Sequence, residues 1–470
     1  MNMNPFIDIF TDDFIKTMLD ECDFSGERDL TPDVAARFFA ALQTAISHAA
    51  CTGIKQFIQS HDVDEPSVTR NGESLSSKKL VSKEYLTPFG VIELERNSYQ
   101  AYWGGQTYQP LDEKWGMVGE FATEAVRECV MFYTAFMSPG EIVKCLGKGS
   151  LFHPSKTAID NILKETGQRT EDNYEDLHAQ MLEDKEIPEG SDILVCSMDG
   201  ANLLIREPGL KKGRPAERPR KQEDGKTSES SYRNAMTGVF SLYQAGDEDG
   251  DPKRLDATYI ARSPEPNFLT FRTDFEREFA WYDKQIDQTA VRVLLHDGGR
   301  NIWSYCDGNE LYDNCLKLVD FYHAAEHLSK AAEAIFGKQN PRGISWYLKW
   351  EARLKEDTAG VRGLINSIKY YQAQVSGENR TKDLAAELTF FTRNAHRMGY
   401  KGFLARGLPI GSGPVEAGCK TIVKQRMCKS GQRWSLTGSQ HILNLRAVVK
   451  SGRWDIYWKS LEAIRLKEAA

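Results

Sequence analysis

Apolar residues recur at helical spacing in PDVAARFFAALQTAISHAA (32–50), and residues 1–60 as a whole predict helices. A polar, Ser-rich stretch at 61–80 predicts a linker or loop. In YLTPFGVIELERNSYQAYW (85–103) the apolar residues alternate about a Pro-Phe-Gly turn, which predicts a β-hairpin. From 116 to 182 the pattern returns to helices. Within it, SPGEIVKCLGKGSLFHPSKTAIDNILKETG (138–167) contains two short helices, each opened by Ser/Pro or Pro/Ser and separated by a Gly-containing turn. This resembles a helix-turn-helix, with Ser155, Lys156 and Thr157 opening the second helix; the alternative is an ordinary helical pair.

After Gly190 the pattern shifts to short β runs at 193–207, 235–245, 255–263, 291–298 and 316–324, with a helix over 268–286 between the third and fourth. A long helical stretch occupies 325–405, and 414–450 is helical with an interruption near Gly431 and Gly438. Strands first, then helix, strand and helix, define an α/β layer architecture with a mixed sheet.

A chain of 470 residues accommodates two or three domains with real cores. No apolar run is long enough to span a bilayer, and MNMNPFIDIFTDDF is acidic, unlike a signal peptide. Nine cysteines without a Cys-x-x-Cys pair suggest reduced thiols in a cytoplasm. The net charge of −7 argues against nucleic acid, yet its distribution reverses that argument. Residues 1–30 hold eight acids against Lys16 and Arg28, whereas 401–434 holds seven bases (Lys401, Arg406, Lys420, Lys424, Arg426, Lys429, Arg433) against Glu416 alone. Segregated charge of this kind suggests a local track for a polyanion.

Three acids stand out: Asp199 ending ILVCSMD, Asp297 ending VRVLLHD, and Glu416 in PIGSGPVEAGCK (409–420). They lie 98 (297−199) and 119 (416−297) residues apart, so only a folded core brings them together. Converging carboxylates of this kind suit two hard divalent cations and phosphoryl transfer. For either aspartate alone, Asp-Gly turn chemistry after a strand is explanation enough. Glu416 falls at the third helical position if Gly413 is the N-cap and Pro414 opens the helix; there it also complements the helix dipole. Glu416, Lys420 and Lys424 share one helical face, and Val415, Cys419, Ile422 and Met427 another. Asp320, which ends LKLVD, is a competing second acid. His323 is a candidate partner for Asp320 or for a phosphate, and His323 with His327 lacks a third metal ligand.

At these residues the chain resembles the DDE transposases of bacterial insertion sequences, notably the Kra-type group and its Mutator-like relatives. The resemblance spans roughly 85–450 and is most specific in GSGPVEAGCKTIVKQRMCKSGQRW (411–434). It implies a ribonuclease-H-like α/β core interrupted by an all-α insertion, with Asp199, Asp297 and Glu416 as first, second and third catalytic acids holding two Mg²⁺, for which Mn²⁺ substitutes. DFYH (320–323) matches the element that follows the second acid, and 325–405 the insertion. Related chains often carry a Cys-x-x-Cys after the hairpin; AYWGGQTYQ (101–109) has none, so no zinc is expected. The implied partners are double-stranded DNA, both terminal repeats and target, and further copies of the chain as a dimer or higher multimer, in a cytoplasmic, nucleoid-associated setting. The alternatives are a catalytically inactive DNA-binding protein on the same scaffold and a metal-dependent nuclease without strand transfer.

The expected DNA contacts are Lys211, Lys212, Arg214, Arg218, Arg220 and Lys221 in GLKKGRPAERPRK (209–221), whose Gly-Arg-Pro centre resembles an AT-hook, together with Lys420, Lys424, Arg426, Lys429, Arg433, Lys156 and Thr157. Aromatics within 346–371 are candidates to stack an unpaired base, against the plainer expectation that they are core. The expected organisation is a helical region with linker at 1–80, a hairpin at 81–115, a helix-turn-helix-like region at 116–190, core at 191–335, insertion at 336–405, and core helices at 406–470.

Overall fold

The computed structural model describes residues 4–21, 29–206, 232–246 and 251–469. The chain forms two compact units, one of residues 1–180 with 455–470, the other of 181–454.

In the first unit, helices Asn4–Glu21 and Pro32–Gln59 precede a hairpin of Ser77–Thr87 and Gly90–Gln100, closed with Thr87 opposite Gly90. Its inner face, Tyr85, Ile92 and Leu94, packs with Met117 against Cys51, Ile54 and Ile58 of the long helix. The hairpin begins earlier than its apolar alternation predicts, and 61–80 is not simply a linker. Val68–Arg70 and Glu73–Leu75 pair across Asn71–Gly72, both at positive φ (51° and 81°). An Asn-Gly pair between short runs is a hairpin signal in its own right. Helices Pro139–Gly149 and Lys156–Asp172 form at the predicted places because Ser138 and Ser155 cap them, the first in a reciprocal box with Glu141. Lys156 and Thr157 are exposed on the second. The final helix, Trp454–Ala469, was expected with the 406–470 core, yet residues 455–470 belong to this unit. Glu462 pairs with buried Arg127 at 2.7 Å, and the Tyr457 hydroxyl meets that of Thr170 at 2.7 Å.

The second unit carries a five-stranded mixed sheet: β1 (Ile193–Leu204), β2 (Tyr232–Gln244), β3 (Lys253–Arg262), β4 (Val291–His296) and β5 (Leu316–Val319), in the order β3-β2-β1-β4-β5. The β1–β2 and β2–β3 pairs are antiparallel, and β1–β4 and β4–β5 are parallel. The helix Leu269–Gln285 covers one face, with Phe275 against Phe240 of β2 at 4.7 Å between ring centroids. That approach requires Gly238, where a Cβ would lie 2.8 Å from Phe275 and from Ile260. On the other face lies the helix begun by Gly413–Gly418. There a Cβ on Gly418 would come within 3.2 Å of Val239 and Tyr259. The predicted helical stretch resolves into Phe321–Phe336, Pro341–Glu356, Gly360–Gln372, Glu378–Asn394 and the short Tyr400–Leu404. Trp346 and Trp350 are buried in its core, which removes them as base-stacking candidates. No helix among the described residues is long and apolar enough to cross a membrane.

Candidate active site

Asp199 lies within β1 rather than at its end. The antiparallel ladder with β2 continues past it (Asp199 opposite Thr237), but the parallel ladder with β4 stops at Cys196–Leu294. Asp199 therefore stands just beyond the carboxyl end of β4, where a parallel sheet opens a crevice. Its Oδ1 accepts the Gly200 N–H at 2.6 Å.

Asp297 follows β4 directly. Its Oδ1 accepts the Gly299 N–H at 2.9 Å, and its carbonyl accepts the Trp303 indole N–H at 2.7 Å. The next residue is glycine of necessity: a Cβ on Gly298 would lie 2.0 Å from the Phe390 ring. Arg393 holds the Gly298 carbonyl at 2.8 Å, so the helix Glu378–Asn394 of the all-α insertion grips the turn that presents Asp297.

His296, which the sequence reading passed over, ties the two aspartates together. It is fully buried, and its Nδ1 accepts the Met198 N–H at 3.0 Å, extending the β1–β4 contact past the last backbone pair. Its ring lies edge-on to Trp303 at 5.1 Å. Burial, aided by the charge of Arg397, pushes its pKa down to about 3, so the ring is neutral. The residue before each acid is thus one half of a single buried hydrogen bond. The sequence signal was a histidine closing the apolar run 293–295 directly before Asp297.

Glu416 comes from the third element, with one correction to its placement. The N-cap is Ser412, not Gly413, and Glu416 is the fourth helical residue, its N–H bonded to the Ser412 carbonyl at 3.2 Å. The cause lies in Asp320. One of its oxygens accepts the Ser412 N–H and the other the His323 N–H at 2.6 Å, so this buried carboxylate joins the helix it caps to the loop before Glu416. Beyond Glu416, residues Cys419–Lys424 form a π turn, and buried Arg446 donates to the Ile422 carbonyl at 2.6 Å. Such turns insert an extra residue into a helix and often mark functional sites. Val415, Cys419, Ile422 and Met427 are buried, and Glu416, Lys420 and Lys424 exposed, the two faces read from the sequence.

The electrostatics link these groups. Burial raises Asp199, as does the charge of Asp297, against the Gly200 N–H, the Cys419 thiol and Lys424. Burial also raises Glu416, helped by Asp320 and then Asp199. The Cys419 thiol, bonded to Asp199, is pushed up to about 12 by burial and by that carboxylate. Asp199 is common to both neighbourhoods. Asp199 and Glu416, raised by burial and then by neighbouring carboxylates, are hard-oxygen donors that a divalent cation would relieve, so the chemistry of these residues fits Mg²⁺. Among the described residues, no group of three or more His, Cys, Asp or Glu side chains is gathered closely enough to hold a metal ion. His327 is engaged elsewhere, its Nδ1 on Glu387 at 2.6 Å and its ring stacked on Phe390 at 3.6 Å.

Lys420, Lys424, Lys429 and Arg433 are exposed. Arg426 is not. It is 2% exposed with its guanidinium over Trp434, so the expectation that it meets DNA is corrected: the Trp434 chain, hydrogen-bonded to Leu204 and Arg206, covers it. The basic segment with Lys211, Lys212, Arg214, Arg218, Arg220 and Lys221 lies outside the described residues. Comparison of the chain with protein-family models finds no match, and comparison with curated proteins finds none.

Proposed function

We propose that the chain is a DDE-type transposase that cuts and joins DNA at the ends of its own element, on a ribonuclease-H-like core. The observation that carries this reading is pairwise: the charge of Asp297 bears on Asp199, and that of Asp199 on Glu416, linking acids from three distant parts of the chain beside the carboxyl end of β4. The 3-2-1-4-5 strand order, with helices on both faces, supports the core assignment.

Asp199, Asp297 and Glu416 would hold the divalent ions. Asp297 is favoured over Asp320 as second acid because both oxygens of Asp320 accept backbone amides in a buried corner. When bound, Mg²⁺ or Mn²⁺ lowers the pKa of a water and offsets charge on the leaving oxygen. His296 and the turn gripped by Phe390 and Arg393 fix the two aspartates relative to each other. Lys420 and Lys424 extend from Glu416 along the exposed helix face and bind DNA phosphates. In cleavage the water oxygen bonds to phosphorus and the bond to the 3′-oxygen breaks. In joining, the freed 3′-hydroxyl attacks a target phosphate in the same way. Double-stranded DNA and further copies of the chain are the partners in this reading.

The test is Asp199→Asn: Mg²⁺-dependent cleavage of end-containing DNA should vanish while binding persists. Retained cleavage would refute the assignment. A joined-product assay with a pre-nicked end separates a transposase from a nuclease that only hydrolyses.

A further inference from the structure

A cavity of about 510 Å³ opens beside Asp199 and Asp297 in the same unit, on the sheet face covered by the helix Leu269–Gln285. Asn202 and Asn234 line one wall and Phe268, Arg272 and Tyr305 another. Asn202 and Asn234 share the strand face of Met198 and Gly200, opposite to that of Asp199. The cavity therefore lies across the sheet from the Glu416 helix, with Asp199 and Asp297 in its lining.

Its rim is strained. Asn267 (φ 55°, ψ 9°) and Phe268 (φ 53°, ψ 39°) occupy the left-handed region in succession. Asparagine tolerates this region, but a residue as bulky as phenylalanine is an outlier there. Such strain persists only where the surroundings over-determine it, and it gathers at binding sites. Here Glu265, two residues before Asn267, accepts the Phe271 N–H at 2.8 Å and pins the helix start. On the same wall, the Arg272 guanidinium lies 4.6 Å from the centre of the Tyr305 ring, and Glu276 holds the Tyr305 hydroxyl at 2.6 Å. Arg272 makes no ion pair among the described residues, so its charge remains for a ligand.

We propose that this cavity receives one unpaired nucleotide of the DNA, next to the phosphodiester that Asp199 and Asp297 address. The inference rests on the function proposed above and names a subsite of it. The chemistry is matched part by part. The Phe268 ring offers a face to a base, the amides of Asn202 and Asn234 offer donors and acceptors to its edge, and Arg272 offers a cation to a phosphate. The volume suits one small ligand and excludes a duplex. A stacked, paired base cannot enter, so the site favours DNA in which unpairing is already cheap.

The test compares a duplex carrying a one-nucleotide bulge with its fully paired counterpart, binding measured by anisotropy with Ca²⁺ in place of Mg²⁺. Base–aromatic stacking predicts a preference for the bulge of about tenfold in the wild type. Phe268→Ala, Phe268→Gly and Arg272→Ala should reduce it towards unity, and Phe268→Tyr should keep it. Phe268→Gly should melt higher than Phe268→Ala, because glycine alone accepts the left-handed backbone freely. An equal preference in Phe268→Gly and wild type, or none in the wild type, overturns the proposal. Persistence of the preference in a protein that never cuts DNA would instead overturn the transposase reading and leave the subsite standing. Binding of neither duplex would overturn both.

Discussion

Replacing His296 with phenylalanine keeps the volume of the buried ring and removes the acceptor for the Met198 N–H. An amide left unpaired in a buried strand costs about 1–3 kcal/mol, so a loss of about 2 kcal/mol is expected at neutral pH. The pH dependence carries the sharper test. The folded pKa of His296 lies below its ordinary 6.5, at about 3. The unfolded chain therefore binds the proton more readily, and the stability held in the neutral ring is complete above about pH 6.5 and lost as pH falls towards about 3. The slope in that window is about 1.4 kcal/mol per pH unit. Phenylalanine has no such dependence, and titrations common to both proteins cancel in their difference. A deficit of about 2 kcal/mol should therefore shrink below pH 6.5, vanish near about pH 5, and reverse below it. Urea unfolding of both proteins at a series of pH values measures the difference directly. A constant offset between about pH 7 and about pH 5 would refute a buried neutral imidazole joining β1 to β4. Cleavage by the variant should fall as well, because Asp199 and Asp297 lose the bond between their neighbours.

Asp199→Asn and Glu416→Gln should each raise the melting temperature, since an acid whose pKa the folded state raises destabilises that state as pH climbs above its ordinary range. Mg²⁺ or Mn²⁺ should raise the melting temperature of the wild type and not of Asp199→Asn, as differential scanning fluorimetry would show; an equal rise in both argues against a metal site there. Asp320→Asn sets an amide N–H₂ against a backbone N–H of Ser412 or His323 and should cost about 1–2 kcal/mol in urea unfolding, whereas Asp297→Asn should cost far less and abolish cleavage. The reverse pattern would make Asp320 the second ligand. Lys420→Ala with Lys424→Ala should weaken DNA binding and lower the slope of log K against log salt by about 0.9 per lost phosphate contact; an unchanged slope removes these lysines from the DNA path.

The sequence carried the layers of the second unit because period-2 apolar runs and capped helices are local signals; β1 to β4 formed within a few residues of the predicted runs, whereas the run at 316–324 is strand only to Val319, because Asp320 caps a helix that begins at Phe321. It carried the two faces of the Glu416 helix for the same reason. What it did not carry depends on partners far along the chain. The N-cap moved to Ser412 because its amide is taken by Asp320, 92 residues away (412−320). Arg426 turned inward because Trp434 docks on β1 beyond Leu204, a contact no helical wheel records. Gly298 looked like half of an Asp-Gly turn, yet what forbids a side chain there is Phe390 of the insertion. This last contact changes how the insertion is understood. Phe390 stacks on His327 and Arg393 bonds to the Gly298 carbonyl, so the all-α segment helps to set the backbone that aims Asp297. If Asp297 serves as the proposed metal ligand, an insertion so coupled to its turn would act on the chemistry through that contact.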